Sequence, residues 1–193
     1  MDLNKLLSDI KEEHKQRIVK ENPNRQPASL VAAVAPDLVC LGSGGFGAVF
    51  ELPDEADKVI RVSFHQFDNW FKAAQYGYRN EDTNFIKVYE IYENGILSIA
   101  KIERLEEYGN HALYVALREI LERYDETLDI KPVYEHAQFM IANKTKGWTM
   151  DHLNSLLNLR KHMITTNQRY RWDCYARNFM MRGDQLVITD PIS

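Results

Sequence analysis

Apolar residues follow two different spacings in the two halves of this chain of 193 residues. From residue 37 to residue 102, short apolar runs alternate with Gly, Asp, Glu and Asn, a pattern typical of β-strands joined by turns. The runs are Leu38–Leu41, Ala48–Leu52, Val59–Phe64, Phe85–Tyr92 and Ile96–Ile102. Beyond residue 108 the apolar residues recur at helical spacing. We therefore predict an α+β fold in which a β-rich half precedes a small helical half.

Helices are also predicted outside the helical half. Apolar residues recur at helical spacing over 2–20, and Asn22–Pro27 contains two prolines, so an amphipathic helix is followed by a linker. Further helices are predicted at Phe67–Tyr78, Leu113–Tyr124, Val133–Ala142 and Leu153–Ile164, and a hairpin at Phe179–Met181 and Leu186–Thr189. The predicted organisation is an N-terminal helix and linker over 1–27, a β-rich lobe over 28–105 and a reduced second lobe over 106–193.

Composition excludes several classes of protein. The net charge of −4 and the pI near 5.9 give no broad basic surface, so we expect no direct nucleic-acid partner. Two cysteines, Cys40 and Cys174, cannot form the disulfide framework of a secreted domain and lack the paired spacing of a zinc site. No apolar run approaches the length of a membrane span. We expect a cytoplasmic protein with no membrane partner, and the sequence leaves its oligomeric state open.

A glycine-rich segment lies between the first two predicted strands. Leu41–Phe50 contains the pattern G-x-G-x-x-G-x-V, and glycines allow backbone N–H groups to approach phosphate oxygens closely. A dinucleotide-binding turn would open a helix, whereas Ala48–Leu52 alternates like a strand and is followed by Pro53. A Walker loop would need Lys-Ser or Lys-Thr after the glycines, and none is present. The remaining alternatives are a kinase-type nucleotide loop and a glycine-rich turn without a ligand.

A second motif lies near the C-terminus. Four residues separate Asp173 from Asn178, and Asp190 follows at the end of the predicted hairpin. Phosphoryl transfer needs an acceptor for the proton of the attacking hydroxyl and oxygen ligands for Mg²⁺. The spacing between Asp and Asn is that of the kinase catalytic loop, and the hairpin would return Asp190 to the vicinity of Asn178. We predict Asp173 as the catalytic base and Asn178 and Asp190 as metal ligands.

Four segments together resemble a known family: Leu41–Phe50, Lys58–Val62, Asn84–Tyr89 and Asp173–Ser193. The chain is similar to protein kinases of reduced size, in particular the early serine/threonine protein kinases of T7-like bacteriophages. The resemblance implies a kinase-like fold that uses ATP and Mg²⁺. It also implies phosphorylation of bacterial host proteins, including the transcription and RNA-processing machinery, in the host cytoplasm during infection.

The resemblance also implies roles for particular residues. Arg61 occupies the position of the kinase lysine, which makes it a candidate catalytic residue that reaches the α- and β-phosphates. Val49 would cover the adenine, and the segment from Glu103 to Leu105 would offer it backbone groups. The implied nucleotide-binding residues are Gly42, Ser43, Gly44, Gly45, Phe46, Gly47, Val49, Arg61, Glu103 and Leu105.

Two departures from the kinase pattern keep other functions open. Arginine replaces lysine at Arg61, and no glutamate lies between Arg61 and Glu81 to complete the usual ion pair. Lys58, three residues before Arg61, is expected on the other face of the strand. One alternative is a pseudokinase that binds a host protein without phosphorylating it. Others are a small-molecule phosphotransferase and a nucleotidyl transferase with the same fold.

Overall fold

The computed structural model describes residues 1–19, 26–64, 69–108, 135, 138, 147–168, 170–173 and 178–192. These residues form four helices and eight strands, which confirms the predicted α+β class. The helices are α1 (Leu3–Val19), α2 (Pro27–Val34), α3 (Asn69–Arg79) and α4 (Met150–Thr165). The strands are β1 (Cys40–Ser43), β2 (Gly47–Glu51), β3 (Lys58–Ser63), β4 (Val88–Asn94), β5 (Leu97–Glu103), β6 (Glu106–Glu107), β7 (Phe179–Arg182) and β8 (Gln185–Ile188).

The chain divides into two compact units. Unit 1 comprises residues 1–71 and 87–104, and unit 2 comprises residues 72–86 and 105–193. Among the residues that the structure describes, no helix is both long enough and apolar enough to cross a bilayer.

Unit 1 contains a five-stranded antiparallel sheet with the strand order β1-β2-β3-β5-β4. The apolar residues that alternate along its strands turn one face towards a common core. Phe50, Ile60, Val62 and Ile99 are almost completely buried in that core. β1 is an edge strand, and its four residues are exposed to solvent.

Helices α1 and α2 close the same core of unit 1. Leu7 and Ile10 of α1 pack with Leu30 of α2, and all three are buried. The guanidinium of Arg17 joins the two helices, because it donates to the hydroxyl of Ser29 at 2.8 Å and to the Ser29 carbonyl at 3.0 Å. The amphipathic pattern of the first helix is therefore satisfied inside unit 1.

Unit 2 contains the short sheet β6-β7-β8 and the helix α4. Leu153, Leu156 and Leu159 of α4 pack in one core with Phe179 and Leu186 of the sheet. The hairpin between β7 and β8 was predicted, and Gly183 in its turn has a positive φ of 58°, a conformation that favours glycine.

Apolar spacing located most elements but misplaced some boundaries. The predicted strand Phe85–Tyr92 begins at Val88, because Phe85 is 1% exposed in the core of unit 2 and pairs with Ile188 instead. Pro27 was predicted as the last residue of the linker, but it is the first residue of α2. Proline is favoured at the first position of a helix. The predicted helix Leu113–Tyr124 lies outside the described residues, as does Val133–Ala142 except for residues 135 and 138.

Replacing Ile10 by Ala is expected to lower the free energy of unfolding by about 2–5 kcal/mol, because the side chain is fully buried between α1 and the sheet. The same replacement at Ile18, which lies in the same helix and is 48% exposed, provides the control and is expected to stay within about 0.5 kcal/mol. Urea unfolding followed by circular dichroism measures both. Equal effects at the two positions would contradict the packing of α1.

Candidate functional site

The glycine-rich segment joins β1 to β2 as an antiparallel hairpin, which confirms the predicted strand–loop–strand arrangement. Gly44 N–H donates to the carbonyl of Gly47 at 2.8 Å, which closes the turn. A dinucleotide-binding turn would open a helix, and none follows here. Gly42 to Phe46 are exposed, and the relative solvent exposure of Phe46 is 54%.

Nothing within the described protein requires glycine at Gly42, Gly44 or Gly45. None of the three has a positive φ. A Cβ atom added at Gly42 or Gly45 would meet nothing within 4 Å, and one at Gly44 would only reach the Gly47 carbonyl at 4.0 Å. Their backbone is therefore open to close approach by a group from outside.

Arg61 lies on β3, directly opposite Val49 in the sheet register. Its Nε donates to the hydroxyl of Ser63 at 3.2 Å, and Ser63 is fully buried. The Cζ atom of Arg61 lies 4.4 Å from the centre of the Trp70 ring. Trp70, in the first turn of α3, is 2% exposed. The guanidinium thus lies over a buried aromatic ring, on the strand next to the glycine-rich hairpin.

Lys58 is engaged elsewhere on unit 1. Its ammonium pairs with the carboxylate of Glu55 at 2.5 Å and lies 4.9 Å from the centre of the Tyr89 ring. Hydrogen bonds from Lys101 and Lys58 lower the pKa of Glu55 to about 2, and the same carboxylate raises the pKa of Lys58. Lys58 is therefore a poor replacement for a phosphate-binding lysine, as its position in the strand had predicted.

At the end of β5, the backbone N–H groups are largely committed. Glu103 N–H donates to the carbonyl of Lys87 at 3.0 Å, and the Glu103 carboxylate accepts from Lys87 N–H at 2.7 Å. Arg104 N–H donates to the carbonyl of Asp57 at 2.9 Å. Of the predicted adenine-contacting segment, Glu103 is buried, and Leu105, the first residue of its stretch of unit 2, is half-buried.

In unit 2, hydrogen bonds join the three residues of the second motif. The side-chain amide of Asn178 donates to the carbonyl of Asp173, and the Asn178 carbonyl accepts from the N–H groups of Thr189 at 2.9 Å and Asp190 at 3.3 Å. Asp173 N–H donates to the carbonyl of Pro191 at 2.8 Å. Asp173 and Asp190 are half-buried and Asn178 is 6% exposed. Residues 174–177, including Cys174, lie outside the described residues.

The orientation of the Asn178 amide determines which of its atoms is available to accept a hydrogen bond or bind a metal ion. Its nitrogen faces the carbonyl of Asp173, and a carbonyl only accepts, so the amide oxygen is left as an acceptor or ligand. Asp190 adds a carboxylate, and amide and carboxylate oxygens are suitable Mg²⁺ ligands. Within the described ranges, no group of three or more His, Cys, Asp or Glu side chains could hold a metal ion.

A separate polar cleft of about 630 Å³ lies in unit 2 and was not predicted from the sequence. Its lining includes Asn84, Asp151, Asn154, Asn158 and Asp184. The hydroxyl of Ser155, at its wall, accepts from the amide of Asn84 at 2.9 Å. None of the predicted site residues lines this cleft.

His152 anchors the start of α4 beside this cleft. Thr149 N–H donates to Nδ1 at 3.1 Å, and Nε2 lies 2.7 Å from the carbonyl of Leu186. A backbone N–H only donates and a carbonyl only accepts, so the proton is on Nε2 and the ring is neutral. Burial lowers the pKa of His152, because the charged imidazolium would lose its hydration.

A scan against protein-family models finds no match, and a search of curated proteins finds none.

Lowering the pH is expected to destabilise the protein through His152. Between the lowered pKa of the folded state and the ordinary value of 6.5, the unfolded chain binds a proton that the folded chain does not. The contribution of neutral His152 to the free energy of unfolding is therefore fully present above pH 6.5. It decreases as the pH falls below 6.5. We expect His152→Gln to remove this part of the pH dependence, measured as urea unfolding free energy between pH 7.5 and pH 5. Parallel curves for the two proteins would contradict the assignment.

Proposed function

We propose that this protein is an ATP- and Mg²⁺-dependent serine/threonine protein kinase. The observation that carries the proposal is the hydrogen-bonded cluster of unit 2, in which Asn178 contacts both Asp173 and Asp190. These residues are the hydroxyl-accepting carboxylate and the two oxygen ligands that phosphoryl transfer uses, at the spacing of a kinase catalytic loop. A fold alone would not require this combination of residue types in one cluster.

In this proposal, unit 1 binds the nucleotide. The exposed backbone of Gly42, Gly44 and Gly45 suits close approach to phosphate oxygens, because no protein group fills the space that side chains would occupy. Arg61 adds a permanent positive charge on the adjoining strand β3. Val49, directly opposite Arg61 in the sheet, would contact the adenine.

In the same proposal, unit 2 carries the chemistry. Asp173 accepts the proton of a serine or threonine hydroxyl as its oxygen attacks the γ-phosphorus, and the bond from that phosphorus to the β-γ bridging oxygen breaks to release ADP. The amide oxygen of Asn178 and the carboxylate of Asp190 would hold Mg²⁺, which neutralises charge that develops on the phosphates. The hydrogen bond from the Asn178 side chain to the backbone carbonyl of Asp173 links the two segments of the proposed site and supports this assignment.

The class of substrate rests on the family resemblance alone. Bacterial host proteins, among them components of the transcription and RNA-processing machinery, are the proposed substrates, with the host cytoplasm as the site of action. The acidic net charge of −4 agrees with a protein partner rather than a nucleic acid.

A second candidate function is a pseudokinase that binds a host protein without phosphorylating it. It is favoured by Arg61 at the position of the kinase lysine and by the absence of any acidic residue in the sequence of α3, Asn69–Arg79. The intact cluster of Asp173, Asn178 and Asp190 favours the kinase, since binding alone needs none of these residue types in this arrangement.

Replacing Asp173 by Asn is expected to reduce phosphate transfer by about 10²–10⁴-fold, because the amide cannot accept the hydroxyl proton as a base. ATP binding is expected to persist. Transfer from γ-labelled ATP to proteins of a bacterial lysate measures the activity, and calorimetry measures the binding. The matched control is Asp184→Asn, at an exposed carboxylate in the hairpin turn of the same unit.

The possible outcomes separate the candidates. Transfer that disappears in Asp173→Asn and persists in Asp184→Asn supports the kinase. Undiminished transfer in Asp173→Asn removes this residue from the mechanism. ATP binding by the wild-type protein without transfer to any protein or small molecule supports the pseudokinase.

A further inference from the structure

The polar cleft of unit 2 has three walls, and hydrogen bonds between residues far apart in sequence hold them together. The side-chain amide of Asn84, in the segment between α3 and β4, donates to the hydroxyl of Ser155 in α4 at 2.9 Å. Nε2 of His152 donates to the carbonyl of Leu186 at 2.7 Å, which joins α4 to the β7–β8 hairpin. The wall formed by α4 is therefore fixed to both of its neighbours.

The hairpin wall is fixed in the same way. The guanidinium of Arg182 donates to the carbonyl of Thr83 and to the side-chain oxygen of Gln185, both at 3.0 Å. Gly147, which precedes α4, has a positive φ of 77°, and a Cβ atom added there would lie 3.0 Å from the backbone nitrogen of Leu186. Only glycine allows this close approach without strain. The cleft is thus formed before any ligand binds, which lowers the entropic cost of binding.

The polar lining of the cleft indicates the charge of its ligand. Among the residues that the structure describes, the lining contains carboxylates, amides and hydroxyls but no lysine, arginine or aliphatic side chain. His152 adds no charge, because its ring is neutral. Burial lowers the pKa of His152, and the negative charges of Asp151 and Asp82 oppose that shift, so both carboxylates act on this part of the cleft. The cleft therefore favours a polar ligand with a positive charge.

Three residues on one face of α4 supply groups that a ligand can contact. Asp151, Ser155 and Asn158 are spaced by four and three residues, which places them on the same side of the helix. Asp151 and Asn158 are exposed, whereas Ser155 is 4% exposed. The Ser155 hydroxyl accepts from Asn84, and no residue in the described part of the chain accepts its proton. A buried donor at the wall of a cleft calls for an acceptor on the ligand.

We propose that this cleft docks a basic segment of a protein partner. An arginine or lysine side chain of the segment contacts the carboxylate of Asp151 and the amide oxygen of Asn158, and a backbone carbonyl of the same segment accepts from the Ser155 hydroxyl. That the partner is a protein rests on the proposed function. The net charge of −4 favours a basic partner further, because opposite charge accelerates association.

The cleft is separate from the cluster of Asp173, Asn178 and Asp190. Gln185 lines the cleft at the start of β8, and Asp190 follows five residues later in the chain. Five residues span at most about 18 Å. A docked segment therefore leaves the cluster accessible to a hydroxyl elsewhere in the same partner. Loss of docking is accordingly expected to raise the KM for a basic protein substrate and to leave kcat unchanged.

A nuclear magnetic resonance titration of the full-length protein without ATP tests docking directly. The probe is a short Gly/Ser peptide that contains arginine, and its matched control contains citrulline, which has nearly the same shape but no charge. Free arginine is the third ligand, because it has the side chain without a peptide backbone. We expect the arginine peptide to shift the amide signals of Asp151, Ser155 and Asn158. The other two ligands are expected to bind about three- to tenfold more weakly.

Two opposite changes at Asn158 test the role of charge. Asn158→Asp adds a carboxylate and is expected to lower the dissociation constant of the arginine peptide about threefold, whereas Asn158→Lys is expected to raise it about tenfold. Asp151→Asn removes the charge that binds the cation and is expected to raise it about three- to tenfold. The matched control is Glu107→Gln, at an exposed carboxylate of unit 2 outside the cleft, which is expected to change nothing.

The outcomes separate docking from catalysis. Shifts in the cleft that require the charge of arginine and follow the charge at position 158 support docking. Equal affinity for the citrulline peptide or for free arginine, or no shift in the cleft, overturns it. If the peptide binds in the cleft but the wild-type protein transfers no phosphate, the kinase proposal is wrong and docking stands. If phosphate reaches lysate proteins while the cleft signals stay unchanged, docking is wrong and the kinase proposal stands.

Discussion

The hydrogen bonds of Asn178 are the interaction on which the account of the site depends. Its side-chain nitrogen binds the carbonyl of Asp173, and its backbone carbonyl receives two N–H groups from Thr189 and Asp190. A single, nearly buried residue thereby connects the segment before it with the end of the β7–β8 hairpin. Asn178 is nearly buried, so its polar groups would be costly to leave without hydrogen-bond partners, and these bonds supply them.

Unit 1 depends on a different constraint, the antiparallel sheet that carries the glycine-rich hairpin. Pairing of β2 with β3 sets Val49 opposite Arg61, and the hairpin leaves its glycines exposed. The helices α1 and α2 contribute to the buried core beneath this sheet, so the N-terminal segment is part of the structure that supports the hairpin. The proposed nucleotide site thus relies on the packing of residues far from it in sequence.

The spacing of apolar residues predicted much of this structure, because a regular spacing indicates both the type of element and the face that it buries. Strands β2 to β5 and the helix α1 have such signals, and the glycine-rich hairpin was predicted from its motif. β6 has none, since Glu106 and Glu107 are both exposed and acidic. Phe85 was assigned to a strand of unit 1 because its apolar run continues across a boundary between units that spacing cannot detect.

The residue types of the second motif were also predictable, because the spacing of Asp173 and Asn178 is short and a hairpin follows it. The direction of the Asn178 amide was not, since it depends on contacts made after folding. The contact between Arg61 and the Trp70 ring was missed for a related reason. It joins a strand to a helix, and the sequence gives no local pattern for it.

The most direct test of the central claim is to locate the metal in the presence of nucleotide. Mn²⁺ can replace Mg²⁺, and its unpaired electrons broaden the nuclear magnetic resonance signals of nearby amides in a protein of 22.5 kDa. We predict that Mn²⁺ with ATP broadens the amide signals of Asn178 and Asp190 at lower Mn²⁺ concentrations than those of the polar cleft, such as Asn154 and Asp184. Broadening of the cleft signals with no effect at Asn178 and Asp190 would contradict the account.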